Sequence, residues 1–226
     1  ESRGLGDVYK RQSLTYMLLK ILFERRYLGD KKNDCLMTVD GTDFECAEQG
    51  KWCYSHKFGH SGLRYEVGIS ILSGDICWIN GPYEAGRWND ISIFRDSLMS
   101  HLDDSERVEA DDGYIGEHPK HIKCPKGFAN KAENEFMQQR VRNRQETVNK
   151  RLKQFGILKQ VYRHSIPNHG DGFRACAVLT QLAINDGDRL FACGYRDQHN
   201  PRADNKRSYE TTEESIDEGS TDSNSL

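Results

Sequence analysis

With 226 residues of which 36% are hydrophobic, the chain can fill one hydrophobic core of ordinary size but not two, and its net charge of −3 marks it as neither polyanion nor polycation. No stretch approaches the ~20 apolar residues that a membrane-crossing helix requires, so no membrane partner is expected. Seven cysteines, at positions 35, 46, 53, 77, 124, 176 and 193, are odd in number and form no CxxC pair, which points to a reduced intracellular setting rather than a disulfide framework.

The chain opens on SRGLGDVYKRQ at residues 2–12, which can be written codon by codon as a sequencing-library adapter. Residues 1–12 are therefore expected to be an assembly artefact, with the natural sequence beginning near Ser13. The pattern SLTYMLLKILFERRYL that follows spaces Leu14, Met17, Leu18, Ile21, Leu22 and Phe23 as a packing helix, ending in a basic turn and Gly29. A short apolar run at 35–39 then delivers Asp40.

Lys51, Trp52, Tyr54, His56, Lys57 and His60 could line a DNA path by phosphate contact and stacking, or could be an edge strand and loop with ordinary surface charge. LRYEVGISIL at 63–72 alternates apolar and polar residues and turns through Ser73, Gly74 and Asp75 into ICWIN at 76–80, an antiparallel hairpin. GRWNDISIFRDSLMSHL is a turn followed by a helix, capped by Asn89 or Asp90 and burying Ile91, Phe94, Leu98 and Leu102. A short strand at 108–110 ends at Asp111. His118, His121 and Cys124 have ligand-like spacing for zinc, but a fourth ligand is not evident and Pro119 and Pro125 make the segment a turn-rich loop.

A long polar helix comes next, with Met137, Val141, Val148, Leu152 and Phe155 on one stripe. Glu146 lies roughly 160° from it, with Arg142, Asn149 and Lys153. Between residues 140 and 163 there are eight basic side chains, Arg142, Arg144, Lys150, Arg151 and Lys153 among them, and one acid, Glu146. A merely solvated face interleaves both signs, so this face is read as one that contacts the DNA backbone. A last helix, FRACAVLTQLAI, and a short strand, RLFACGY, close a domain expected to span residues 13–200. The segment after Arg207 holds six acids and no Lys or Arg. Residues 201–226 are expected to be a disordered acidic tail, which leaves a mildly basic body.

Three carboxylates carry the chemistry. Asp40 and Asp111 close short apolar runs, and Glu146 lies on the long helix. Carboxylates at neighbouring strand ends and on a helix beside them can hold two hard divalent cations, Mg²⁺ or Mn²⁺, for an in-line phosphoryl displacement. Each acid also has a plainer reading. Asp40-Gly41 can be a strand-to-turn junction, Asp111 or Asp112 with Gly113 the Asp-Gly corner of a turn, and Glu146 a solvated residue. No GxSxG nucleophile motif supports an α/β hydrolase.

The chain resembles the DDE superfamily of transposase-type endonucleases, in particular its Harbinger-like branch, over about residues 21–195. The resemblance is carried by VDGTDF at 39–44, GRWNDISIFRDS at 86–97, ADDGYIG at 110–116 and ETVNKRLKQFGIL from Glu146, with Asp111 and Glu146 35 positions apart. It implies an α/β fold, a ribonuclease-H-like mixed sheet flanked by helices. It also implies two-metal cleavage or strand transfer on DNA, with Asp40, Asp111 and Glu146 as catalytic metal ligands. Asp112 stands where the family carries a small or basic residue, and Asp90 matches a recurring Asp that helix capping would also explain. A nuclear location, a separate DNA-binding accessory protein and self-association are compatible with the resemblance. A transposase-derived protein that binds DNA or a partner without cutting is the alternative.

Overall fold

A computed structural model describes residues 35–47, 50–103, 106–125 and 131–193. The packing helix expected at 13–28, the acidic tail and the adapter-like opening lie outside these residues.

The central strand is β1 (Cys35–Glu45), longer than the apolar run predicts. It continues through Asp40, Gly41 and Asp43, which pair with Val67, Glu66 and Arg64 of the antiparallel β3 (His60–Ser70). Asp40-Gly41 is therefore mid-strand, not a turn junction. On its other edge β1 pairs in parallel with the short β5 (Arg107–Glu109), which pairs in parallel with β6 (Ile122–Lys123). The far edge of β3 carries β2 (Tyr54–Ser55) and then β4 (Ile76–Glu84), so the expected hairpin is present. The mixed six-stranded sheet runs β2-β3-β1-β5-β6, with β4 also on β3.

Both faces of the sheet are covered. The long helix α2 (Lys131–Leu152), the single turn α3 (Gly156–Lys159) and helix α4 (Ile166–Asn185) pack on one face. There Val148, Leu152, Phe173 and Ala177 meet Phe44, Leu63, Tyr65, Val67 and Ile69. Helix α1 (Asp90–Asp96) and the 3-10 turns at Leu98–His101 and Asp112–Glu117 cover the other, where Met37, Val39, Trp78, Phe94, Leu98, Val108 and Tyr114 cluster. Double coverage explains why the middle of β3 does not present its acid to water. Glu66 is 0% exposed, accepting from Trp78 Nε1 at 2.9 Å, and burial pushes its carboxyl up to about 8.

The stripe on α2 behaves as its spacing predicts, with Val141, Val148 and Leu152 fully buried. Polar residues widen the buried face. Arg144 donates to the carbonyls of Ser70 and Ile71, and Gln145 Nε2 to that of Val67 at 3.0 Å. These bonds fasten the helix to the C-terminal half of β3 and to the turn that follows it. The strand expected at 189–195 does not form in its described part: residues 189–193 are irregular, with Leu190 against the core and Phe191 under the guanidinium of Arg140. Among the described residues no helix is long and apolar enough to cross a membrane.

Candidate active site

The sheet register brings two of the expected acids together. Pairing between β1 and β5 ends at Thr38 opposite Glu109, so Asp40 and Asp111, each two residues further on, stand level just beyond it. Asp40 belongs to the α2 face, where its Oδ2 accepts from Asn149 Nδ2 at 2.8 Å. Asp111 caps the 3-10 turn that follows, its Oδ1 accepting from the backbone N–H of Gly113 at 2.8 Å. The Asp-Gly corner is thus real and is itself part of the site. Burial, then the charges of Asp111 and Asp90, push the Asp40 carboxyl up to about 7, against a weaker pull from Lys57.

Asp90 is the third acid in this neighbourhood. The side chain of Asn89, not Asp90, caps α1, its Oδ1 accepting from Ser92 N at 3.0 Å. Capping therefore does not account for Asp90. Its carboxyl group fills the space above Gly41, on the face opposite Asp40. A methyl group at Gly113 would stand 3.4 Å from Asp90 Oδ2 and 2.9 Å from Asp111 Oδ1. Burial raises the Asp90 carboxyl, Arg64 opposes this and Asp111 adds to it. Arg64 Nη1 lies 3.4 Å from Asp90 Oδ1 and donates to the Trp88 carbonyl, while its Nε and Nη2 grip both oxygens of Asp43 at 2.6 and 2.9 Å. Ser55 also donates to Asp43, and although burial pushes the Asp43 carboxyl up, these hydrogen bonds outweigh it and hold it below the usual range. Asp43 and Arg64 are directly opposite one another in the ladder, so this pair belongs to the sheet and braces Asp90 from beneath.

Glu146 does not touch Asp40. It is exposed on α2 and makes no hydrogen bond or ion pair among the described residues. Asn149, three residues on and beside it on the helix, is the residue that reaches Asp40. Their shared stripe, with Arg142 and Lys153, is the signal for Asn149 in the sequence. Asp43 and Arg64 were signalled only by the VDGTDF stretch and the alternation of β3.

The basic residues of α2 divide. Lys150 is exposed, and Lys153 lies over the Phe44 ring, 5.4 Å from its centroid, where burial and then Lys57 lower its pKa while Asp43 and Asp40 resist. Arg142 is half-buried, and Arg151 is tied to Asp188 at 3.0 Å. Arg144 is 1% exposed, so its charge is committed to the Ser70 and Ile71 carbonyls and the expectation of a DNA contact does not fit it. On the opposite side Trp52 and Tyr54 are 49% and 41% exposed, and Lys57 carries its charge within reach of Asp40, Asp43 and Asp90.

Among the described residues no three His, Cys, Asp or Glu side chains close round a single metal position. The donor set nevertheless suits a divalent cation. Asp40, Asp90 and Asp111 supply hard oxygens and repel one another, Asp40 and Asp90 from partly buried positions and Asp111 from an exposed one, with Arg64, Lys57 and Lys153 as the nearby positive charges. At the loop bearing His118 and Cys124, the His118 ring nitrogen meets the Ile122 carbonyl at 3.1 Å and Cys124 is buried in the core.

A mixed sheet flanked by helices, with one aspartate midway along the central strand, a second level with it just past the neighbouring parallel strand, and a long helix crossing beside them, is the ribonuclease-H-like architecture. The chain matches the family model described as Transposase DDE domain over residues 31–180, more than half its length, and it belongs to that family. Domains of this family act on DNA and generally use divalent metal ions. No curated protein and no solved structure matches the chain.

Proposed function

We propose that this protein is the catalytic domain of a Harbinger-like transposase, a metal-dependent DNA endonuclease and strand transferase. The observation that carries this reading is the level placement of Asp40 and Asp111, with the Asn149 contact anchoring the helix that bears Glu146 beside them. Asp40, Asp111 and Glu146 would hold Mg²⁺ or Mn²⁺, two ions in all. Such ions when bound lower the pKa of an attacking water or hydroxyl and stabilise charge on the leaving oxygen.

The chain's own residues do the rest. Asp40 is held on β1 by the side chain of Asn149, and Asp111, just past β5, by its bond from Gly113 N–H. Lys150 and Lys153, with Arg142 and Arg151, would meet phosphates along α2. This arrangement directs a polyanion across the acids between the helix and Lys57. With DNA as substrate, the same reading expects the protein beside chromosomal DNA, in a nucleus for this branch. An accessory DNA-binding partner and self-association are further expectations of the same reading.

A second reading has one observation in its favour: Glu146 is exposed and does not touch Asp40. On this view the chain binds DNA or protein without cutting. Supercoiled plasmid incubated with Mg²⁺ or Mn²⁺ separates the two. Nicking by wild type, lost in Asp40→Asn, Asp111→Asn and Glu146→Gln, is the expected result. Plasmid that is bound but never nicked or joined would leave the non-cutting reading standing.

A further inference from the structure

Asn149 is a neutral amide on a helix segment rich in arginine and lysine, and it is the α2 residue that contacts the central acid. Only 8% of it is exposed. Its Nδ2 donates to Asp40 Oδ2 at 2.8 Å, while its Oδ1 is buried with no hydrogen-bond partner in the protein. A buried amide oxygen without a partner is costly, and native structures keep such groups where something else satisfies them. Beside Asp40, whose carboxyl also feels the charge of Asp111, the partner that chemistry favours is a hard cation or a water that the cation carries, since amide oxygens are ordinary ligands of such ions. The neutral side chain matters as well. A lysine here would form an ion pair with Asp40 and cancel the charge that attracts a cation, whereas an amide N–H orients the carboxylate and leaves its charge intact.

We propose that Asn149 is a member of the divalent-metal centre, holding Asp40 through Nδ2 and offering Oδ1 as a neutral oxygen to the bound ion or its water. The inference rests on the metal reading of Asp40 and Asp111 above, and it adds to that site a residue three positions beyond Glu146.

The test is Mn²⁺ binding to the whole chain, followed by electron paramagnetic resonance and by melting temperature with and without the ion. Asn149→Ala should weaken Mn²⁺ binding at least tenfold while circular dichroism shows an unchanged fold. Asn149→Asp, which keeps an oxygen at the same place and adds a negative charge, should bind Mn²⁺ more tightly than wild type. It should also melt lower than wild type without metal, because a further acid then faces Asp40. If Asn149→Ala does not fold, a larger Mn²⁺-induced rise in melting temperature for Asn149→Asp than for wild type supports the proposal, and an equal or smaller rise overturns it. Wild-type Mn²⁺ affinity retained in a folded Asn149→Ala overturns this proposal alone. Wild type that binds no Mn²⁺ overturns the metal reading of the whole site.

Discussion

The carboxyl group of Asp90 occupies the place where a side chain at position 41 would be: a methyl group on Gly41 would stand 2.8 Å from the carboxyl carbon of Asp90. Gly41 is needed for this close approach rather than for an unusual φ, since its backbone is that of an ordinary β1 residue. Gly41→Ala should therefore destabilise the protein by about 1–3 kcal/mol, the usual cost of overpacking. In an Asp90→Ala background the same substitution should cost far less, because the obstacle is gone. Urea denaturation of the two single variants and the double variant measures the coupling. Additive effects would mean that Asp90 does not sit over Gly41.

Two raised carboxyls set the pH dependence of the metal-free protein. Asp40 is pushed up to about 7 and Glu66 to about 8, in each case chiefly by burial. Between its ordinary pKa and its raised one, each acid binds more protons in the folded state than in the unfolded state. Stability should therefore be highest at the acid end of these windows and fall as pH rises, from about 4 to about 7 for Asp40 and on to about 8 for Glu66. His169, pushed down to about 4 by burial, works in the opposite sense: its share is present above about 6.5 and lost as pH falls toward 4. Melting temperatures from pH 5 to 9 should flatten in Asp40→Asn up to about 7 and in Glu66→Gln up to about 8. A Glu66→Gln profile parallel to that of wild type would show that Glu66 ionises freely.

The parts of this architecture that depend on periodicity were legible in the sequence. The β3–β4 hairpin, the helix after Asn89 and the α2 stripe of Val141, Val148 and Leu152 follow from apolar spacing and turn residues. The level placement of Asp40 and Asp111 required the parallel β1–β5 register, a pairing that no local pattern encodes. Glu66 reads as a solvent-facing strand residue until the second helical layer covers it. Asp90 looked like a cap because both it and Asn89 fit that position, and only geometry assigns the cap to Asn89. Charge counting on α2 failed for Arg144 for a similar reason, since a basic residue near a sheet end can serve backbone carbonyls instead of phosphates.

Arg144 and Lys150 should therefore respond differently to the same substitution. Arg144→Ala leaves the Ile71 carbonyl without that donor, at a cost of about 1–3 kcal/mol, while the Ser70 carbonyl keeps its bond from Gly74 N–H, and it should leave the salt dependence of DNA binding unchanged. Lys150 is exposed, so Lys150→Ala should change stability by no more than about 0.5 kcal/mol. It should reduce the slope of log affinity against log salt by about one unit, without sequence preference, by removing one phosphate contact. Chemical denaturation and salt-titrated DNA binding on both variants make the comparison. Equal salt slopes for wild type and Lys150→Ala would remove α2 from the DNA path.

Metal binding gives the most direct check on the acids themselves. Asp40, Asp90 and Asp111 repel one another in the folded protein, a cost that a divalent cation relieves and that the unfolded chain does not carry. A ligand that binds the folded state alone stabilises it by about 2.7 kcal/mol at a concentration one hundred times its dissociation constant. For a domain of this size that corresponds to a rise in melting temperature of roughly 5–10 °C. Mg²⁺ or Mn²⁺ should produce such a rise in wild type, and Asp40→Asn should abolish most of it while melting higher than wild type in metal-free buffer at pH 8, where the Asp40 carboxyl is ionised. Glu146→Gln should behave otherwise. Glu146 lies outside the mutual repulsion of the aspartates, so its loss should leave metal-free stability within about 0.5 kcal/mol of wild type. DNA binding should be retained or tighter, because a negative charge beside the phosphates has gone, while Mg²⁺-dependent cleavage stops. A melting temperature that ignores both ions in wild type and in Asp40→Asn alike would remove the basis for a metal at this site.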